Sequence, residues 1–214
     1  MRFNKPSGKD ALRVQVLAAW QAIFEVMRKL LHTRQVTCQG YERDDGLWDI
    51  EGHLSDVRTY DMRDGDGPVR LPAGQPLHLM TLTLTVNASF EIVAARASIA
   101  RAPNAECKDI PPVYDALVGL RIGPGFIGEV KKRFKGPLGC THLSELLGPI
   151  ATTAFQTLWP VLARKHREQD ALDLAAGKKP RLAMLDTCYA MRSGGEVARM
   201  RWPMFHVADG TAAS

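Results

Sequence analysis

The chain has 214 residues, 45% of them hydrophobic and 24% charged, with 28 Lys and Arg against 23 Asp and Glu for a net charge of +5. These proportions exclude a disordered chain, a collagen-like fibre and a disulfide-dense miniature, and they leave room for one substantial domain. Mean hydropathy is −0.16, and no uncharged apolar stretch approaches the roughly 20 residues a membrane helix needs, so no membrane partner is expected.

Taken in order, Asp10 to Leu31 reads as an amphipathic helix, with Leu12, Val16, Trp20, Ile23, Met27 and Leu30 at helical spacing. The run contains Gln15, Gln21 and Glu25 and lacks a cleavage pattern, so it is not read as a signal peptide. Residues 1–31 form an N-terminal helical extension in this reading, and 32–214 a single domain.

His32 to Tyr41 turns to strand alternation. Asp44-Asp45-Gly46 is a turn, and Leu47 to Tyr60 alternates again, which makes a β-hairpin. Arg63 to Gln75, rich in Gly, Asp and Pro, reads as a mobile loop. Pro76 to Val86 is a strand with His78, Met80, Leu82, Leu84 and Val86 on one face, and Phe90 to Arg101 is another. After Pro103 the pattern becomes helical: a short helix opened by Pro111-Pro112 and running to Leu120, then one over Phe126–Phe134. A long helix over Thr141 to about Arg167 follows, with Thr141 as its cap and a kink at Pro160. Gln169 to Pro180 reads as a polar linker. The fold class is α+β: an antiparallel meander of about four strands, then helices packed on one face.

The basic clusters Lys131–Lys135 and Arg164–Arg167 fall where helices are expected to end, so they suit helix dipoles rather than a nucleic acid. Four cysteines without a secretory signal point to a reducing, cytoplasmic compartment and free thiols.

Two constellations carry chemistry. Cys107, Cys140, His142 and Cys188 offer a Cys₃His set for zinc or iron, with Cys140 at a helix start where its thiolate is favoured; packing of the thiols is the alternative. The hairpin gathers Arg34, Tyr41, Arg43, Asp45, Trp48, Asp49, Glu51, His53 and Asp56. Strand periodicity puts Asp49, Glu51 and His53 on one face and Trp48, Ile50, Gly52 and Leu54 on the other. The charged face is either solvated or a pocket. In the pocket reading Arg34, Arg43, Asp45 and Trp48 hold an anionic substrate while Tyr41 and Glu51 act as acid and base. His78 joins them as a catalytic candidate, or is a hydrogen-bonded core histidine; Glu51 or Asp56 within reach would favour catalysis. No GxGxxG, Walker, GxSxG or HExxH pattern is present, so no organic cofactor is expected.

His32-Thr33-Arg34, Gly40 through Gly52 and Gly139-Cys140-Thr141-His142-Leu143 resemble the bacterial DUF2889 family, over about Arg28 to Pro203. The family often carries Cys-His near its end, where this chain has Cys188-Tyr189. The resemblance implies small-molecule catabolism of aromatic compounds, and with it a lyase without an organic cofactor acting on a phenolic or acidic aromatic substrate. The apolar coverage of the helix from Asp10 is broad for a solvated helix, so it either caps the core or builds a homodimer interface. The order of sheet, cysteine and helix opened by Cys140 and His142 is also similar to IscU-type iron–sulfur scaffolds, which implies a metal-binding alternative.

Overall fold

A computed structural model describes residues 28–178 and 184–207. The chain divides into two compact units at Leu158/Trp159. The expected N-terminal helix lies outside the described residues except for 28–31, which are not helical.

In the first unit, β1 (His32–Glu42), β2 (Trp48–Arg58), β5 (Pro76–Val86) and β6 (Ile92–Arg101) form an antiparallel sheet in the order β1-β2-β5-β6. The β1–β2 turn is set by Gly46, whose φ of 78° suits glycine, and by Asp45, whose carboxylate accepts the Leu47 N–H. The expected loop after β2 contains a small ribbon of β3 (Met62–Arg63) and β4 (Val69–Leu71). Its strands are too short for alternation to reveal them.

Alternation decides what each face of the sheet meets. Trp48, Ile50, Leu54, Met80, Leu82, Leu84 and Val86 are buried on one face. On the other, Asp49 accepts from the Thr85 hydroxyl at 2.6 Å, and the His53 ring lies 3.2 Å from the Thr81 hydroxyl. That face is polar and paired across strands.

The helices follow. A 3₁₀ segment at Pro111–Leu117 replaces the expected short helix, and α1 spans Phe126–Arg133. Lys131, Lys132 and Arg133 occupy the last turn of α1, where cations meet the negative end of the helix dipole. The long helix α2 runs Thr141–Ala175. It takes up half of the expected linker, and so places Arg164–Arg167 within the helix rather than at its end. Leu143, Leu146, Leu147, Ile150, Ala154 and Leu158 are fully buried along its stripe.

By length and composition α2 would pass for a membrane-crossing helix: the best 18-residue window has a mean hydropathy of 1.2, with 28% of it buried. The buried part of that apolar surface is the stripe that packs on the sheet. Contacts show how α2 lies along β1: Arg34 meets Glu145, Cys38 meets Thr153, and a side chain at Gly40 would meet Thr157. Six strand residues and twelve helix residues each span about 20 Å, so helix and strand advance together. Gly52 and Gly40 give α2 its close approach, since a Cβ at Gly52 would stand 2.7 Å from Ile150 Cδ1.

The second unit holds the rest of α2, a 3₁₀ turn at Tyr189–Met191, α3 (Glu196–Arg201) and a 3₁₀ turn at Pro203–Phe205. Asp186 organises its loop, accepting the Ser193 N–H at 2.7 Å.

Candidate active site

The apolar alternation of β2 ends in a carboxylate. Asp56 is in phase with Trp48, Ile50 and Leu54 and is 1% exposed. Register sets Arg34 opposite it on β1 and His78 opposite it on β5, so three polar side chains line one row of the buried face. A β-bulge between Asp56 and Val57 interrupts the β2–β5 ladder beside the carboxylate.

Every lone pair of Asp56 is engaged. Arg34 grips it bidentately, Nε to Oδ1 and Nη2 to Oδ2, both at 2.8 Å. His78 Nδ1 lies 2.9 Å from Oδ2 and His32 Nε2 lies 3.1 Å from Oδ1. Burial by itself would raise the carboxyl's pKa. The hydrogen bonds and charge of Arg34, with the bonds from His78 and His32, outweigh it and hold Asp56 well below the usual carboxylate range. An ionised carboxylate only accepts, so His78 carries its hydrogen on Nδ1.

The helix completes the cluster. His142, in the first turn of α2, lies with Nε2 3.8 Å from Asp56 Oδ2, and its ring centroid is 3.8 Å from that of His78, tilted by 33°. Burial, then the charges of His78 and Arg34, push the His142 pKa down. Glu145, one turn on, accepts from Arg34 Nη1. Exposure rises from Asp56 outward to Arg34 and Glu145, so the cluster opens to solvent on the helix side.

Tyr114 fixes where α2 begins. Its buried hydroxyl accepts the Cys140 N–H at 3.1 Å and sits 2.8 Å from both the Cys140 carbonyl and the Ser144 hydroxyl. The Cys140 carbonyl takes the first helical bond, from Ser144 N–H, so Cys140 rather than Thr141 is the cap residue. Burial pushes the Tyr114 phenol up. Tyr114→Phe is expected to cost about 1–2 kcal/mol of stability, since the Cys140 N–H loses its acceptor. Urea denaturation checks this, and a loss under about 0.3 kcal/mol would contradict it.

A recess of about 530 Å³ lies between α1 and the start of α2 and meets the cluster at Glu145. Ile127, Val130 and Phe134 give it an apolar wall, Lys131 and Lys135 are its cations, and Glu145 is shared with the Arg34 contact.

The sequence candidates separate on this geometry. Arg34, His78 and His142 come together. Tyr41 and Glu51 fall on the opposite face of the sheet from His78, Tyr41 opposite Asp49 and Glu51 opposite Thr83. Trp48 is in the core. Arg43 lies at the hairpin turn, bound to Asp45 at 2.7 Å and Asp49 at 3.3 Å, beside a hollow whose other residues are Glu42, Asp44 and Asp45. Three acids and a paired arginine offer little to an anion. Cys140 Sγ is 3.9 Å from His142 Nδ1, Cys107 lies in the 3₁₀ segment Ala105–Asp109, and Cys188 belongs to the second unit. Among the described residues, the group of His, Cys, Asp or Glu side chains placed to hold a metal is Asp56, His78 and His142, which shares His142 alone with the Cys₃His set. Cys38 packs toward α2, where burial pushes its thiol up against a hydrogen bond with Thr153.

Asp56 belongs to neither the catalytic nor the binding set expected from the sequence, and nothing in the local pattern marks Glu145 as a partner of Arg34. The sign of Asp56 was present: a carboxylate in the apolar phase of a strand. Its reach to His78 is the condition that favoured catalysis for that histidine.

Residues 32–156 match the family model described as a protein of unknown function (DUF2889). The match stops within α2, short of Pro203, so Cys188 lies beyond it. No curated protein and no solved structure matches the chain, and the likeness in element order to IscU-type scaffolds gains no support. The matched span is more than half of the chain and contains the whole Asp56 cluster: the protein belongs to the DUF2889 family.

Proposed function

We propose that the chain is a small-molecule enzyme, a lyase without an organic cofactor that breaks a C–C bond of a phenolic or acidic aromatic compound at the Asp56 cluster. The observation that carries this reading is the buried carboxylate gripped by Arg34 and His78, with the His142 ring against that of His78 and Glu145 linking the cluster to an apolar recess with two lysines. A buried ionisable cluster with perturbed pKa values is a usual physical mark of a catalytic site, and the recess reaches this one through Glu145.

In this reading the aromatic ring lies against Ile127, Val130 and Phe134, and an acid group meets Lys131 or Lys135. The substrate's hydroxyl proton leaves at the histidines. The bond to the small side group then breaks, its electron pair remains on the carbon of the larger fragment, and that carbon takes a proton. Formaldehyde leaves if the group is hydroxymethyl, carbon dioxide if it is carboxylate. Asp56 and Arg34 hold the histidines in place. Free cysteines at 38, 107, 140 and 188 support a reducing, cytoplasmic setting.

The test is to incubate the full chain with a panel of hydroxymethyl- and carboxyl-bearing phenols and measure formaldehyde and carbon dioxide. Release by the wild type that falls about 100-fold or more in His142→Gln is the expected result, the scale of a lost acid–base group. No release from any compound, or equal release by the variant, would overturn the reading.

A further inference from the structure

The same cluster has the composition and spacing of a metal centre, and this holds whatever its substrate. Asp56, His78 and His142 each present one ligand atom, and the three atoms lie within 4.8 Å of one another. They come from three elements, β2, β5 and α2, so the fold and not a flexible loop sets their spacing. His78 Nδ1 is 2.9 Å and His142 Nε2 3.8 Å from Asp56 Oδ2. Ligands bound at about 2.1 Å around one ion stand about 3.0–3.4 Å apart, so the two pairs with Asp56 lie within about half an ångström of that spacing, and closing the three atoms from within 4.8 Å needs a shift of about 1.4 Å at most.

From this geometry we infer that Asp56, His78 and His142 bind one divalent first-row transition cation. Two imidazoles and a carboxylate suit zinc, iron(II) or cobalt rather than magnesium or calcium, which prefer all-oxygen sets. Three protein ligands leave a position open to water or substrate, the pattern of catalytic rather than structural sites. Binding through Nδ1 requires His78 to give up the Nδ1 hydrogen, which also frees the Asp56 Oδ2 lone pair that this hydrogen occupied. The cation then supplies by charge what free imidazole supplies by basicity.

The surrounding charge accommodates a dication. Arg34 is matched by Asp56 on one side and Glu145 on the other, so one arginine faces two carboxylates. Arg34 and His32 remain as outer partners that orient the carboxylate. The ligand set differs from the Cys₃His arrangement suggested by the sequence, and the two make opposite predictions.

The experiment is calorimetric titration of the chelator-treated full chain with zinc chloride, paired with the visible spectrum of the cobalt(II) form. One equivalent should bind the wild type. His142→Gln should weaken binding by more than about 100-fold, beyond the 10–100-fold that loss of an outer partner costs. A Cys107→Ser, Cys140→Ser, Cys188→Ser triple variant should bind as the wild type does. The cobalt form should lack a thiolate-to-metal charge-transfer band. Absence of stoichiometric binding to the wild type overturns the inference, as does full affinity in His142→Gln or a thiolate band. The wild-type spectrum decides even if a variant fails to fold. Metal binding without turnover would leave this site standing and remove the lyase reading, while turnover by a wild type that binds no cation in the titration would do the reverse.

Discussion

Asp56→Ala is expected to lower the stability of the protein by about 3–4 kcal/mol, because removing one partner of a buried ion pair strands the others. Arg34 would keep Glu145 but lose two bonds of 2.8 Å, and His78 would lose the acceptor that fixes its ring. The partial exposure of Arg34, whose side chain is 37% accessible, lets water recover part of the loss, so the upper end of the usual range is not reached. Thermal unfolding should shift down by roughly 10 °C for a chain of this size. Asp56→Asn, of nearly equal volume, separates charge from packing. Its expected cost is about 2 kcal/mol, and a variant as stable as the wild type would show that the cluster does not hold the sheet and α2 together.

Gly52→Val should be nearly as damaging, at about 3 kcal/mol. A Cβ at Gly52 would stand 2.7 and 2.8 Å from two side-chain carbons of Ile150, which is fully buried and cannot move outward. Valine adds two further carbons to that crowding, and overpacking of this kind forces the helix from the sheet or the side chain from its rotamer. Gly52→Ala would cost less, because alanine also reduces the freedom of the unfolded strand. Pairing Gly52→Ala with Ile150→Val removes Cδ1, the nearer of the two Ile150 atoms, and should recover part of the stability. Independent, additive losses in that cycle would contradict close packing of α2 on β2 at this point.

The alternation of apolar residues was enough to read the sheet. Val36 and Cys38, Trp48 to Leu54, and His78 to Val86 each mark the face that meets the helix, because a strand has a period of two whatever its neighbours do. The Asp44–Gly46 turn is tight, so it also fixes Arg34 opposite Asp56. The β2–β5 pairing was not legible in the same way, since the connection from Arg58 to Pro76 holds a ribbon of its own and sets no simple register. The end of α2 is hard to read because Gln169, Asp170 and Asp173 interrupt its Ala and Leu residues and Leu172 faces solvent, so no buried apolar stripe marks the helix there.

The site divides along the same line. Residue chemistry singled out Arg34, His78 and His142, while the grouping of Tyr41 and Glu51 with His78 crossed the sheet from one face to the other. A charged residue on the apolar phase of a strand is the more telling sign, since burial of a carboxylate is costly unless it is paired. Asp56 met that description. Its meeting with His142 depends on how α2 lies along β1, a tertiary fact that local pattern does not contain.

The most direct measurement compares His78→Ala with Glu51→Gln for turnover of whichever phenolic compound the wild type consumes. Loss of about 100-fold or more in the first and a change within about twofold in the second is the predicted result, because His78 touches Asp56 and Glu51 lies on the other face of the sheet. An active His78→Ala beside an inactive Glu51→Gln would place the chemistry on the polar face of the hairpin and contradict a centre at Asp56.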